Sequence, residues 1–210
     1  DARFVFANRD AIRHLEHALQ LLTEKAGIKD EVQRQAARKA YETLGDLFEI
    51  LNEEKRSVYS FKQALAHTAS PETLAYTRTL GKLANITSYL GDYEYGSKLF
   101  TEALNALEAQ PDHEDQEWIN AWLKIQFTRA WIEYDRSEVD KLEPILAAIR
   151  PVAEQVGDPD TLSQYYFLAP LIDFRRYGYQ ATDNVQNFFK LAMEHGRKGN
   201  NLEVRTRGIF

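Results

Sequence analysis

The stretch Gly91-Asp92-Tyr93-Glu94-Tyr95-Gly96-Ser97-Lys98-Leu99-Phe100-Thr101-Glu102-Ala103-Leu104 decides the reading of the fold. Gly91 can end one helix, and the Asp92 side chain can cap the next. Beyond them, Gly96, Leu99, Phe100 and Ala103 recur at spacings of three and four, which places them on one helical face. Within that face, Gly96-x3-Phe100-x2-Ala103 sets small residues on either side of an aromatic one. A missing side chain lets the two helices of a pair approach closely, and the ring fills the gap to the next pair.

Working outward, the arrangement recurs. Ser57-x3-Phe61-x2-Ala64 follows Tyr41-x2-Leu44-Gly45-x2-Phe48, and Leu80-x2-Leu83-Ala84 precedes the stretch above. The opening helix carries Ala11-x3-Leu15-x2-Ala18, and Leu168-x2-Leu171-Ile172 precedes Asn184-x3-Phe188-x2-Leu191. These segments resemble the tetratricopeptide repeat: a large residue and leucine-glycine in a first helix, alanine-x3-phenylalanine in a second. The resemblance implies an all-α fold, a right-handed α-α superhelix of about four to five antiparallel helix pairs. It departs from the family in spacing. Gly45, Ala84, Ala130 and Ile172 lie about 39, 46 and 42 residues apart, against roughly 34 in the family. The pair over 113–156 is degenerate, with Arg129-Ala130 in place of leucine-glycine.

The periodicity predicts helices over 8–26, 30–52, 54–69, 71–90, 92–109, 113–135, 137–156, 159–177 and 180–196, with a partial helix from 200. Asn8, Asp30, Ser70 before Pro71, Asp92, Ser137 and Asp158 before Pro159 are the expected caps. Pro144, Pro151 and Pro170 fall inside predicted helices and should kink or interrupt them. No linker is long enough to separate distinct domains, so residues 1–210 read as a single repeat domain, a fragment truncated at both ends.

Composition narrows the function. Of 210 residues, 44% are hydrophobic and 28% charged, enough apolar matter for a core. The net charge of −6 argues against nucleic acid as the partner, because phosphate binding needs clustered positive charge. With no cysteine, disulfides, thiolate metal sites and cysteine nucleophiles are excluded, which fits a cytoplasmic location. No apolar run reaches the roughly 20 residues that span a bilayer. His14 and His17 share a helical face but lack a third ligand, so surface histidines are expected there, with no metal and no cofactor. No phosphate-binding loop, glycine-flanked serine or paired-carboxylate motif is present, and no enzymatic activity is expected.

A narrower resemblance covers most of the chain. Asn8-Arg9-Asp10-Ala11-Ile12-Arg13-His14-Leu15-Glu16-His17-Ala18-Leu19, the Trp118–Tyr134 segment, Arg150-Pro151-Val152-Ala153-Glu154-Gln155 and Phe174-Arg175-Arg176-Tyr177 resemble the repeat regions of bacterial signalling proteins. Those proteins join an AAA-type or STAND-type ATPase to a long repeat array, sometimes with a nucleotide cyclase or DNA-binding domain. The resemblance implies a regulatory sensor arm whose partner is a protein or peptide, or an ATPase or other domain of the same polypeptide.

In such an array the first helices of each pair line the concave face. That projection selects Lys39, Glu42, Asp46 and Glu49 from the first complete pair, then Arg78, Asn85, Ser88 and Tyr89. Lys124, Phe127, Trp131 and Tyr134 follow, and last Tyr166, Asp173, Arg176 and Tyr177. Trp131, Tyr134, Arg176 and Tyr177 stand out, since arginine beside aromatics is the composition that binding hot spots favour. The plainer reading of the aromatics is core packing. Glu42 and Asp46 would repel the terminal carboxylate that some repeat grooves capture. Two alternatives stay open: a structural spacer or self-association array, and a repeat domain of the peptide-pheromone receptor kind.

Overall fold

The computed structural model describes residues 2–68 and 73–200, and the described residues hold helices and no strand. The helices are α1 (Ala2–Gln20), continued by a wider π turn over Leu21–Ala26, α2 (Glu31–Ile50), α3 (Glu54–Ala66), α4 (Leu74–Tyr89), α5 (Tyr93–Glu108), α6 (Gln116–Asp135), α7 (Val139–Val156), α8 (Pro159–Leu168), α9 (Leu171–Arg176) and α10 (Asp183–Lys198). The chain forms two compact units, Asp1–Ile125 and Gln126–Phe210, with the boundary inside α6.

Local chemistry sets most helix starts. Asp30 caps α2 by accepting the Gln33 N–H at 2.8 Å. Asp92 caps α5 through Tyr95 N–H at 3.2 Å, and Asp158 caps α8 through Thr161 N–H at 2.8 Å, with Pro159 in the first turn. Each such cap satisfies a backbone donor that would otherwise be orphaned, a contribution of about 1 kcal/mol. Two expected caps fail. Asn8 sits inside α1, which starts at Ala2, because the apolar period runs upstream of it. Ser137 holds a left-handed backbone (φ 63°) one residue before Glu138, which precedes α7 without a side-chain cap, and its hydroxyl accepts from Arg175 instead. Ser70-Pro71-Glu72 lies outside the described residues, as does nearly all of the partial helix from 200; the α4 cap is Thr73, accepting from Tyr76 N–H at 3.2 Å. Thr182 caps α10 in the same way.

In the first unit, sequential helices pack as neighbours: α1 on α2, α2 on α3, α3 on α4, α4 on α5. Small residues are the reason the pairs close. A methyl group on Gly45 of α2 would sit 2.6 Å from Cδ1 and 2.8 Å from Cζ of Phe61 on α3, and that ring is fully buried. One on Gly96 of α5 would meet Ser88 Oγ and come within 3.1 Å of the Ala84 carbonyl on α4. Ser88, expected on an exposed inner face, is therefore buried and donates to Ala84 O at 2.8 Å. Tyr76 of α4 donates to Glu102 of α5 at 2.5 Å; burial first, then the acceptor and its charge, push the phenol up to about 12.

In the second unit, α8 packs on α7 and on α10. Ser163 of α8, itself buried, donates to Ala192 O of α10 at 2.7 Å, another close approach at a small residue. The burial register of α10 is Val185-x3-Phe189-x2-Ala192, one residue later than Asn184-x3-Phe188-x2-Leu191. Leu191 is 37% exposed. The same spacing recurs at Leu142, Leu146 and Ile149 of α7, all buried. Pro170 separates α8 from α9, as its missing N–H dictates. Pro144 and Pro151, however, lie inside an uninterrupted α7. They are seven residues apart, hence on one face, and both are exposed. Asp140 and Ala147, whose carbonyls lose their helical partner to these prolines, are exposed residues as well, so hydration can lower the cost of proline within the helix.

Candidate functional site

The sequence-selected residues of α2 and α4 come together around one residue the projection omitted. Lys82 of α4 donates to Glu42 Oε1 at 2.9 Å and to Asp46 Oδ2 at 2.8 Å, both on α2. Arg38 donates to Glu42 Oε2 at 2.9 Å, and Asn85 donates to Glu49 Oε1 at 3.2 Å. Arg38, Glu42, Asp46 and Glu49 fall three and four residues apart on α2, and Arg78, Lys82, Asn85 and Tyr89 do so on α4. Two helical stripes therefore face one another across separations of 36 and 40 residues. Arg78 extends the line to α6, donating to Glu117 Oε2 at 3.1 Å. Lys39 and Tyr89 are exposed at its margins, Tyr89 to 75%. The signal that could have found Lys82 is its position four residues after Arg78 and three before Asn85.

Partial burial shapes the charges here. Burial alone would lower the Lys82 ammonium, but the hydrogen bonds and charges of Asp46 and Glu42 outweigh it and hold its pKa above the ordinary lysine value. Burial, then the neighbouring Asp46, raises the Glu49 carboxyl, against the opposing pull of Asn85, Lys82 and Lys124. The face is thus a compact alternation of sign in which acids and bases answer one another.

In the second unit the sequence-selected aromatics fall in two clusters, apart from the edge-on pair of Phe174 and Tyr179. Trp131 meets Tyr134 edge-on at 5.8 Å and lies 6.0 Å from Phe167, which in turn lies 5.6 Å from Phe189. The cation over Tyr134 is Arg175, 4.0 Å from the ring centroid, and not Arg176. Arg176 instead pairs with Glu143 of α7 at 2.6 Å. Tyr177 is exposed, and Asp173 accepts from Asn184 at 3.4 Å. Tyr166 stands in the other cluster, against Phe188 and His195 at 5.9 and 5.6 Å. Phe127, projected onto the lining, is buried core. Tyr134 and Trp131 remain half-buried. The missed arginine differs from the selected one by a single position, a step of about 100° around the helix.

The chain matches no protein-family model, no curated protein and no solved structure. Among the described residues no group of three His, Cys, Asp or Glu is placed to hold a metal. None of the described helices is long and apolar enough to cross a membrane.

Proposed function

We propose that this chain is a non-catalytic binding or regulatory segment of the tetratricopeptide type, taking a protein or peptide partner on the face shared by its first helices. The right-handed superhelix expected from the repeat belongs to this reading. The observation that carries it is the side-by-side placement of α2 and α4 through Lys82, Glu42 and Asp46. That placement makes one continuous polar face out of residues from successive helix pairs, which is how repeat arrays build extended binding surfaces. A partner segment with alternating charge complements it, displacing weak intramolecular pairs for intermolecular ones. An attached ATPase or other domain would be regulated by a shift in population on binding.

The same ion pairs favour a second reading, the structural spacer, since a face neutralised from within needs no partner. A displayed-peptide library separates the two. Enrichment of peptides by the wild type, lost in Lys82→Glu, supports binding. No enrichment, or enrichment indifferent to that substitution, leaves the spacer. Light scattering across a concentration series then decides whether the spacer self-associates.

A further inference from the structure

A cleft of about 460 Å³ opens among α1, α2 and α3, lined on α2 by Tyr41, Leu44 and Phe48. At about 100° per residue these lie on a different face of α2 from Glu42, Asp46 and Glu49, so the cleft is separate from the charged face. Its floor is apolar: Leu19, Leu44 and Phe48 belong to the core between α1 and α2. Tyr41 and Tyr59 line it as well; Tyr41 is backed by a stacked His67 at 5.5 Å, while Tyr59 is 59% exposed.

Above that floor most of the lining side chains carry a polar group, and several of these groups are occupied. Arg56 lies 3.9 Å over the Phe48 ring and is held by Glu16 at 2.7 Å and Glu53 at 2.6 Å. Thr23 donates to the Leu19 carbonyl at 2.8 Å. Besides the Tyr41 and Tyr59 hydroxyls and the engaged Gln20, two groups remain. Ser60 is only 2% exposed, and its hydroxyl makes no hydrogen bond to a described residue. Lys55 stands at the rim with no ion pair to a described residue. A volume of this size, an apolar and aromatic floor and a pair of polar groups left to meet a ligand are the attributes of a small-molecule site.

We propose that this cleft binds a small planar aromatic monoanion. Its ring lies along Tyr41 and Tyr59 above Leu44, where offset and edge-on ring contacts are available. Its carboxylate meets Lys55, and Ser60 supplies one hydrogen bond in the interior. Glu16 on the rim disfavours a dianion. The proposal stands apart from the binding face above, because none of its residues belongs to the Lys82 network.

The test is an amide-resolved NMR titration of the whole chain with indole-3-carboxylate and, in parallel, neutral indole-3-carboxamide. Shifts are expected at residues 16–23, 41–48 and 55–60, with the acid bound more tightly than the amide. Lys55→Gln should remove a preference of roughly 2–5-fold, the scale of one exposed ion pair, and Lys55→Arg should keep it. Thr23→Trp, filling the cleft from its exposed lip, should weaken both probes while helical circular dichroism is unchanged. Lys82→Glu should leave both affinities alone. Shifts centred elsewhere, equal affinity for acid and amide in the wild type, or no saturation at millimolar probe would overturn the proposal.

Discussion

Replacing Gly45 with alanine sets two known effects against each other. Alanine is the better helix former, by about 1 kcal/mol in an exposed helix interior. The new methyl, however, would lie 2.6 and 2.8 Å from two carbons of the Phe61 ring, well inside van der Waals contact. That ring is fully buried, so moving it aside disturbs its own packing. Relief comes from shifting the ring or from separating α2 and α3, and overpacking of this kind costs about 1–3 kcal/mol. Overpacking is expected to win, leaving Gly45→Ala destabilised by about 1–2 kcal/mol in urea unfolding. The cause is separable from any generic effect. Phe61→Leu alone should lose about 1–2 kcal/mol from lost burial, but it frees the space that the methyl needs. The double variant should therefore be more stable than the sum of the two losses, by at least about 1 kcal/mol. A Gly45→Ala protein that gains stability, with losses that simply add, would refute the claim that the glycine is there to admit the ring.

Three further outcomes follow from the same geometry. Lys82→Met leaves Asp46 without its partner beside Glu49, and a loss of about 1–2 kcal/mol is expected, between exposed and fully buried pairs, measured by denaturant unfolding. Ser57→Ala should stabilise by about 1 kcal/mol, because the buried Ser57 hydroxyl has no hydrogen-bond partner among the described residues and its removal relieves an unmet desolvation cost. Glu49 holds its proton more tightly folded than unfolded, so its contribution is fully present below the unfolded carboxyl pKa of about 4.3 and is lost as pH rises through the higher folded value. Glu49→Gln keeps an acceptor for Asn85 without that loss, so it should exceed the wild type in stability at about pH 7, with the gap closing below about pH 4.3.

Much of the helix plan was legible because it rests on local chemistry. Asp30, Asp92 and Asp158 cap where a short acceptor precedes an apolar period, and Pro170 breaks the chain where its missing N–H requires. Gly45 and Gly96 could be read from spacing as points of close approach, because only a small residue admits so close a neighbour, but spacing assigned the Phe61 ring to the next pair, whereas it also lies against Gly45 within its own. What the sequence hid depends on rotation. The Phe188-Phe189 doublet offers two registers for α10, and only the α8 surface selects the one that buries Val185 and Ala192. Arg175 and Arg176 are likewise adjacent, and packing decides which lies over Tyr134. Lys82 escaped because a single lysine on a helix ordinarily points to water; its acids lie 36 and 40 residues away.

Zero-length carbodiimide cross-linking, read by peptide mass spectrometry, tests the shared α2–α4 face most directly. Lys82 should join Glu42 or Asp46, whose oxygens lie 2.9 and 2.8 Å from its nitrogen, and Lys82→Arg should abolish that product. Lys82 joined only to its own neighbours in sequence, or to no carboxylate, would contradict the account.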